Sequence, residues 1–136
     1  ADDADRLMHI VVVAAVIERD GRYLLTLRPK GTHLAGYWEF PGGKCHAGES
    51  EGDALRRELR EELDVRVEPG EKLLATAHEY DDRTIELHFY RCALAGVPRP
   101  MVGQSIRWVP RTELAALRFP PADADLVALL TAPPAS

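Results

Sequence analysis

Cysteine is nearly absent: among 136 residues there are two, Cys45 and Cys92, far apart and in no CxxC pairing. That excludes a disulfide framework or a cysteine-held zinc site and leaves both thiols as small apolar core candidates. Long apolar runs are missing too. No stretch approaches the roughly 18 residues that a spanning helix needs, and the opening ADDADRLMH lacks the basic-then-apolar order of a signal peptide. A cytoplasmic protein without membrane contact is the expectation. Positive charge is also short: 17 Lys and Arg face 22 Asp and Glu, for a formal net charge of −5 and no concentrated basic stripe. Stable binding to long nucleic acid is therefore disfavoured, whereas a small polyanion held through a metal is compatible. What is present is 46% hydrophobic residues in a chain of one-domain length, enough to bury a core unaided.

Periodicity and turn signals order the elements. The run HIVVVAAVI at 9–17 is dense in β-branched residues and reads as a strand buried on both faces. Arg19-Asp20-Gly21 supplies a turn and 23–27 a returning strand, so a hairpin or adjacent strand pair opens the fold. After the loop PKGTHLAG, Trp38-Glu39-Phe40 delivers the chain to Pro41-Gly42-Gly43. A helix starts near Ser50 and ends near Asp64. Beyond it the chain is extended over 65–67, turns at Pro69-Gly70, and forms strands at 72–80, 84–93 and 105–109. A short helix at 111–117 with Thr112 as cap candidate and a final helix at 123–130 complete the chain. Strands around one central helix, with helical matter again at the end, indicate an α/β protein, an α/β/α sandwich with a mixed β-sheet. It is read as a single domain over 1–136, with loose ends at 1–7 and 132–136.

The central helix carries the chemistry. Glu58, Glu61 and Glu62 stand at i, i+3 and i+4, which brings their carboxylates to one side, within reach of a shared ion. At about 100° per residue, Leu55, Leu59 and Leu63 form the apolar stripe, with the glutamates beside it and Asp53, Arg57, Arg60 and Asp64 directed outward. Carboxylates crowded at the edge of a core repel one another and resist desolvation unless cations sit among them. A hard divalent ion, Mg²⁺ or Mn²⁺, meets that need. The plainer reading is a solvated acidic helix balanced by Arg56, Arg57 and Arg60.

The wider spacing decides between them. Gly43 is followed after five residues by Glu49, and after seven more by Arg57-Glu58-Leu59, Arg60, Glu61-Glu62, Leu63, Asp64 and Val65. This resembles the Nudix box, with one departure: Asp64 stands where that family has glycine, just past the helix end, where Asp tolerates a left-handed conformation. The stretches AAVIERDGRYLLTLRP, GYWEFPGGK and RWVPRTELAALRFPPAD extend the resemblance to MutT-type nucleoside triphosphate pyrophosphohydrolases over nearly the whole chain.

The resemblance implies the Nudix fold and a Mg²⁺-dependent hydrolase that splits a nucleoside triphosphate into monophosphate and pyrophosphate, with a role in cleaning the nucleotide pool. It implies Glu58, Glu61, Glu62 and the Gly42 carbonyl as metal ligands. Glu58 is the preferred general base, with Glu49 and Glu61 as alternatives, and Arg57 is an orienting salt-bridge partner of Glu49. Arg28, His33, Glu39, Phe40, Gly43 and Lys44 fall on substrate-side positions. A further glutamate that MutT-type enzymes place before the late strand is replaced at or near Val102, and Glu86 or water is the candidate to fill the gap. In Phe119-Pro120-Pro121-Ala122-Asp123, the aspartate either reads the base or caps the final helix. As a base reader it keeps cytidine nucleotides (CTP, 5-methyl-dCTP) and oxidised guanine nucleotides (8-oxo-dGTP) both open. Other nucleoside diphosphate derivatives, or a non-catalytic nucleotide-binding module, are the competing expectations; the oligomeric state is open.

Overall fold

Alternation along one strand divides the core in two. The computed structural model describes residues 8–31 and 35–133, so His33 and the expectations for 1–7 and 134–136 lie outside the described residues. In β1 (Met8–Val16), Val13 and Ala15 face one way and Ala14 and Val16 the other, and all four are buried. Successive strand residues point to opposite faces, so a run buried throughout requires cover on both. That cover is helical on each side.

β2 (Glu18–Arg19) and β3 (Arg22–Leu27) form a tight hairpin through Asp20 (φ 53°) and Gly21 (φ 75°), the doubly left-handed turn that suits the strand twist. The hairpin expected between 9–17 and 23–27 is thus confined to β2 and β3. β1 itself takes partners on both edges, antiparallel to β5 (Gly42–Lys44) and parallel to β7 (Arg83–Ala95), which leaves no edge for β3. The first sheet, with β6 (Arg66–Glu79) outermost, runs β5-β1-β7-β6 and is mixed. β3 instead centres an antiparallel sheet with β2, β4 (Trp38–Glu39) and β8 (Ser105–Pro110).

α1 (Glu51–Leu63) lays Ala54, Leu55, Leu59 and Leu63 against Val13 and Ala15. On the opposite face, α2 (Ala124–Thr131) packs Leu126 and Leu130 near Ala14, Val16 and Phe89. The result is the α/β/α sandwich with a mixed sheet. Both ends of α1 obey capping chemistry: Ser50 Oγ accepts from the Asp53 N–H at 3.1 Å, and Asp64 adopts φ 56° while its N–H donates to the Arg60 carbonyl.

Two local expectations are corrected. Pro69-Gly70 is not a turn: β6 runs through it with register shifts at Pro69/Lys72 and Lys72/Leu74. An edge strand tolerates this, because the N–H that proline lacks can face away from the ladder. Residues Arg111–Ala116 form a 3-10 turn preceded by Pro110, with no side-chain cap, rather than a helix capped by Thr112.

Candidate active site

The two glycines of β5 serve two different contacts. A Cβ at Gly42 would lie 1.9 Å from the Val13 carbonyl oxygen, and one at Gly43 would lie 2.4 Å from the carboxyl carbon of Glu58. Bare backbone here lets β5 pair closely with β1 and lets a carboxylate of α1 rest against β5. Glu58 therefore faces the Gly42-Gly43 strand.

Arg57 organises the acids around it. Its Nε and Nη2 donate to the two oxygens of Glu49 at 2.8 and 2.9 Å, Nη1 donates to Glu58 at 2.9 Å and to Glu61 at 3.4 Å, and Nη2 also donates to the Lys44 carbonyl at 2.9 Å. The helical projection put this residue outward; its long stem turns the guanidinium back into the cluster. The fork of hydrogen bonds from Arg57, with a backbone bond from His46, holds the Glu49 carboxyl down at about 2.

Glu62 is in the opposite state. Burial first, then the charge of Glu58 and a hydrogen bond shared with it, and then the charges of Glu39 and Glu61, push its carboxyl up to about 8. Among the described residues no three acidic, histidine or cysteine groups stand converged on one point, since Glu58 and Glu61 are turned toward Arg57. The donor set nevertheless fits a hard divalent cation. It is all oxygen, and a bound cation would replace the proton that Glu62 otherwise holds.

Glu39 links this cluster to Asp123. It pairs with Arg28 at 3.2 Å, and its charge acts on both Glu62 and Asp123. Asp123 is only 6% exposed and makes no capping hydrogen bond to α2, which removes the capping role considered for its side chain. Burial, then Glu39, raise its carboxyl to about 7. Phe40 is buried, stacked on Phe119 with 5.6 Å between centroids and edge-on to Phe89, so its ring has the contacts of a core residue. Lys44 is exposed beside Gly43.

The loop before β8 is fastened to the end of α1. The Met101 N–H and Gln104 Nε2 both donate to the Glu62 carbonyl, at 3.0 and 2.9 Å, and Gln104 Oε1 accepts from the Val102 N–H. Gln104 escaped the sequence reading; its only signal was a lone amide between a glycine and a strand. Val102 is 58% exposed and brings no acid. Glu86 does not fill the gap, because its carboxylate is engaged by His9 and, at 3.0 Å, by His88; the acid whose charge reaches Glu62 from outside α1 is Glu39.

A glutamate-rich helix set against a glycine pair is an all-oxygen site suited to a hard cation and the phosphates it would hold, and comparison with known proteins assigns the family. The model of the NUDIX domain matches residues 12–129, and the chain belongs to that family. It is 42% identical over 118 residues to the CTP pyrophosphohydrolase of Escherichia coli K12, covering 86% of each chain. To the 8-oxo-dGTP diphosphatase of Haemophilus influenzae it is 40% identical over 121 residues, covering 87% of this chain and 89% of that one. The solution structure of the E. coli ORF135 protein superposes with a TM-score of 0.83 at 39% identity, over 96% of both chains. The chain is thus a MutT-like Nudix pyrophosphohydrolase, from a family that acts on small nucleotides and generally needs a divalent metal.

Proposed function

We propose that the protein hydrolyses nucleoside triphosphates to monophosphate and pyrophosphate with Mg²⁺, and that Asp123 selects cytidine or oxidised guanine bases. The observation that carries this is Glu62: a carboxyl raised to about 8 among three other acids, one of which, Glu58, rests against Gly43. Glu58, Glu61, Glu62 and the Gly42 carbonyl would hold the ion, and Mn²⁺ suits the same oxygens. When bound, the metal would neutralise phosphate charge and lower the pKa of a water on it.

The chain supplies the rest. Glu58, which rests against Gly43, would take the proton of the attacking water, with Glu61 as the alternative. Glu49 is a poor base because Arg57 holds its carboxyl at about 2; its part is to fix the guanidinium that aligns Glu58. Arg28 and Lys44 would provide positive charge on the substrate side, with Gly43 giving close backbone approach and Glu39 orienting Arg28; His33 stays a substrate-side candidate from the family resemblance alone.

Asp123 has two donor–acceptor states. Ionised, it only accepts and suits the amine edge of cytosine; protonated, it can also donate to a purine carbonyl oxygen. With a carboxyl near 7, the cytidine-to-oxidised-guanine ratio of kcat/KM should rise from pH 6 to pH 8. Asp123→Asn should abolish that pH dependence and move the ratio about tenfold toward oxidised guanine. An unmoved ratio would place base reading elsewhere. The overall reading is tested by pyrophosphate release from a nucleotide panel with Mg²⁺, Mn²⁺ or EDTA. Release only with metal is expected, and no release under any metal would reduce the protein to a binding module.

A further inference from the structure

The flank of α1 that carries Arg56 and Arg60 is hollow where it meets the start of β6. A cavity of about 440 Å³ is bordered by Arg56, Arg57, Arg60, Arg66 and one acid, Glu68, with Val65 and Val67 at its floor. A second cavity, about 520 Å³, shares Arg60, Val65 and Arg66, so the two form one groove along the start of β6. Arg56 is neutralised by Asp53 and Glu68, and Arg57 by the acids of the catalytic cluster. Arg60 and Arg66 have no acidic side chain in salt-bridge range among the described residues; Asp64 borders only the second cavity.

Two uncompensated guanidiniums, Arg60 and Arg66, at one hollow in a chain of net charge −5 mark a local excess of positive charge. Guanidinium forks match the oxygens of phosphate groups. The volume is that of a small-ligand site. Arg57 connects the groove to the acid cluster, since the side chain that lines the groove ends in the guanidinium that holds Glu49 and Glu58.

We propose that this groove is a second, non-catalytic site for a phosphate-bearing anion, and that its occupancy slows turnover by drawing Arg57 from Glu58. Only the link to turnover rests on the function proposed above. A phosphate-bearing anion is available from either product of that reaction, so inorganic pyrophosphate and cytidine monophosphate serve as separate probes. Calorimetry in EDTA at low salt compares wild type, Glu62→Gln and the double variant Arg60→Ala/Arg66→Ala, both of whose sites are exposed and lie outside the catalytic machinery. At least one probe should bind wild type and Glu62→Gln alike and bind the double variant about tenfold or more weakly, with binding weakening as salt rises. That same probe should lower kcat of the wild type and leave kcat of the double variant unchanged. Equal binding to wild type and the double variant, or no binding of either probe to wild type, overturns the site. Binding with purely competitive inhibition overturns the link through Arg57. Because the binding arm requires no turnover, an inactive enzyme would refute the proposed function without touching the groove.

Discussion

Adjacent glycines make the sharpest contrast between folding and chemistry. A methyl at Gly42 meets the backbone of β1, which cannot move away without breaking the β1–β5 ladder. Gly42→Ala should therefore destabilise the protein by about 3 kcal/mol or more, read by urea unfolding. A methyl at Gly43 meets the end of a flexible side chain, Glu58. Gly43→Ala should keep the melting temperature within a few degrees yet lower kcat by about 100-fold, as the carboxylate is pushed out of line. Equal loss of stability in the two variants would remove Glu58 from its place against β5. Asp123 adds a pH signature. Its folded carboxyl is raised to about 7 from the usual 3.8, so the stability it contributes is fully present below about pH 4 and is lost as pH rises through 7. Asp123→Asn should flatten that part of the stability profile, removing a slope worth on the order of 4 kcal/mol.

Along α1 the sequence was highly informative, because capping and spacing are local. Ser50, Asp64 and the leucine stripe were all readable, and so was the Arg57–Glu49 pair once the box spacing was recognised. The inward turn of Arg57 was not: a projection places Cα atoms, while a guanidinium ends several ångströms away, wherever acids and carbonyls collect. Pro69-Gly70 misled for a different reason, since whether a proline interrupts a strand depends on that strand being at the sheet edge, which is a tertiary fact. Asp64 in the left-handed conformation carries a small strain. Asp64→Gly should raise stability by about 0.5–1 kcal/mol with kcat unchanged; a loss of activity would show that this residue does more than end the helix.

At the scale of the whole molecule, the mixed sandwich was legible in the alternation of strands around one helix, and the separation into two sheets was not. Nothing in 9–27 marks the point where β1 and β3 part company, because that is decided by which strands arrive later to pair with them. The candidate site draws on both sheets: β5 and α1 bring the acids together, β4 brings Glu39, and the segment before α2 brings Asp123. Its central feature is a carboxylate cluster short of one positive charge. The most direct test is ¹³C NMR titration of the Glu62 carboxyl without metal and with saturating Mg²⁺. The account predicts titration near 8 without metal, and no protonation down to about pH 5 with Mg²⁺, because the cation takes the place of the proton. A Glu62 that titrates at its ordinary value in both conditions would contradict it.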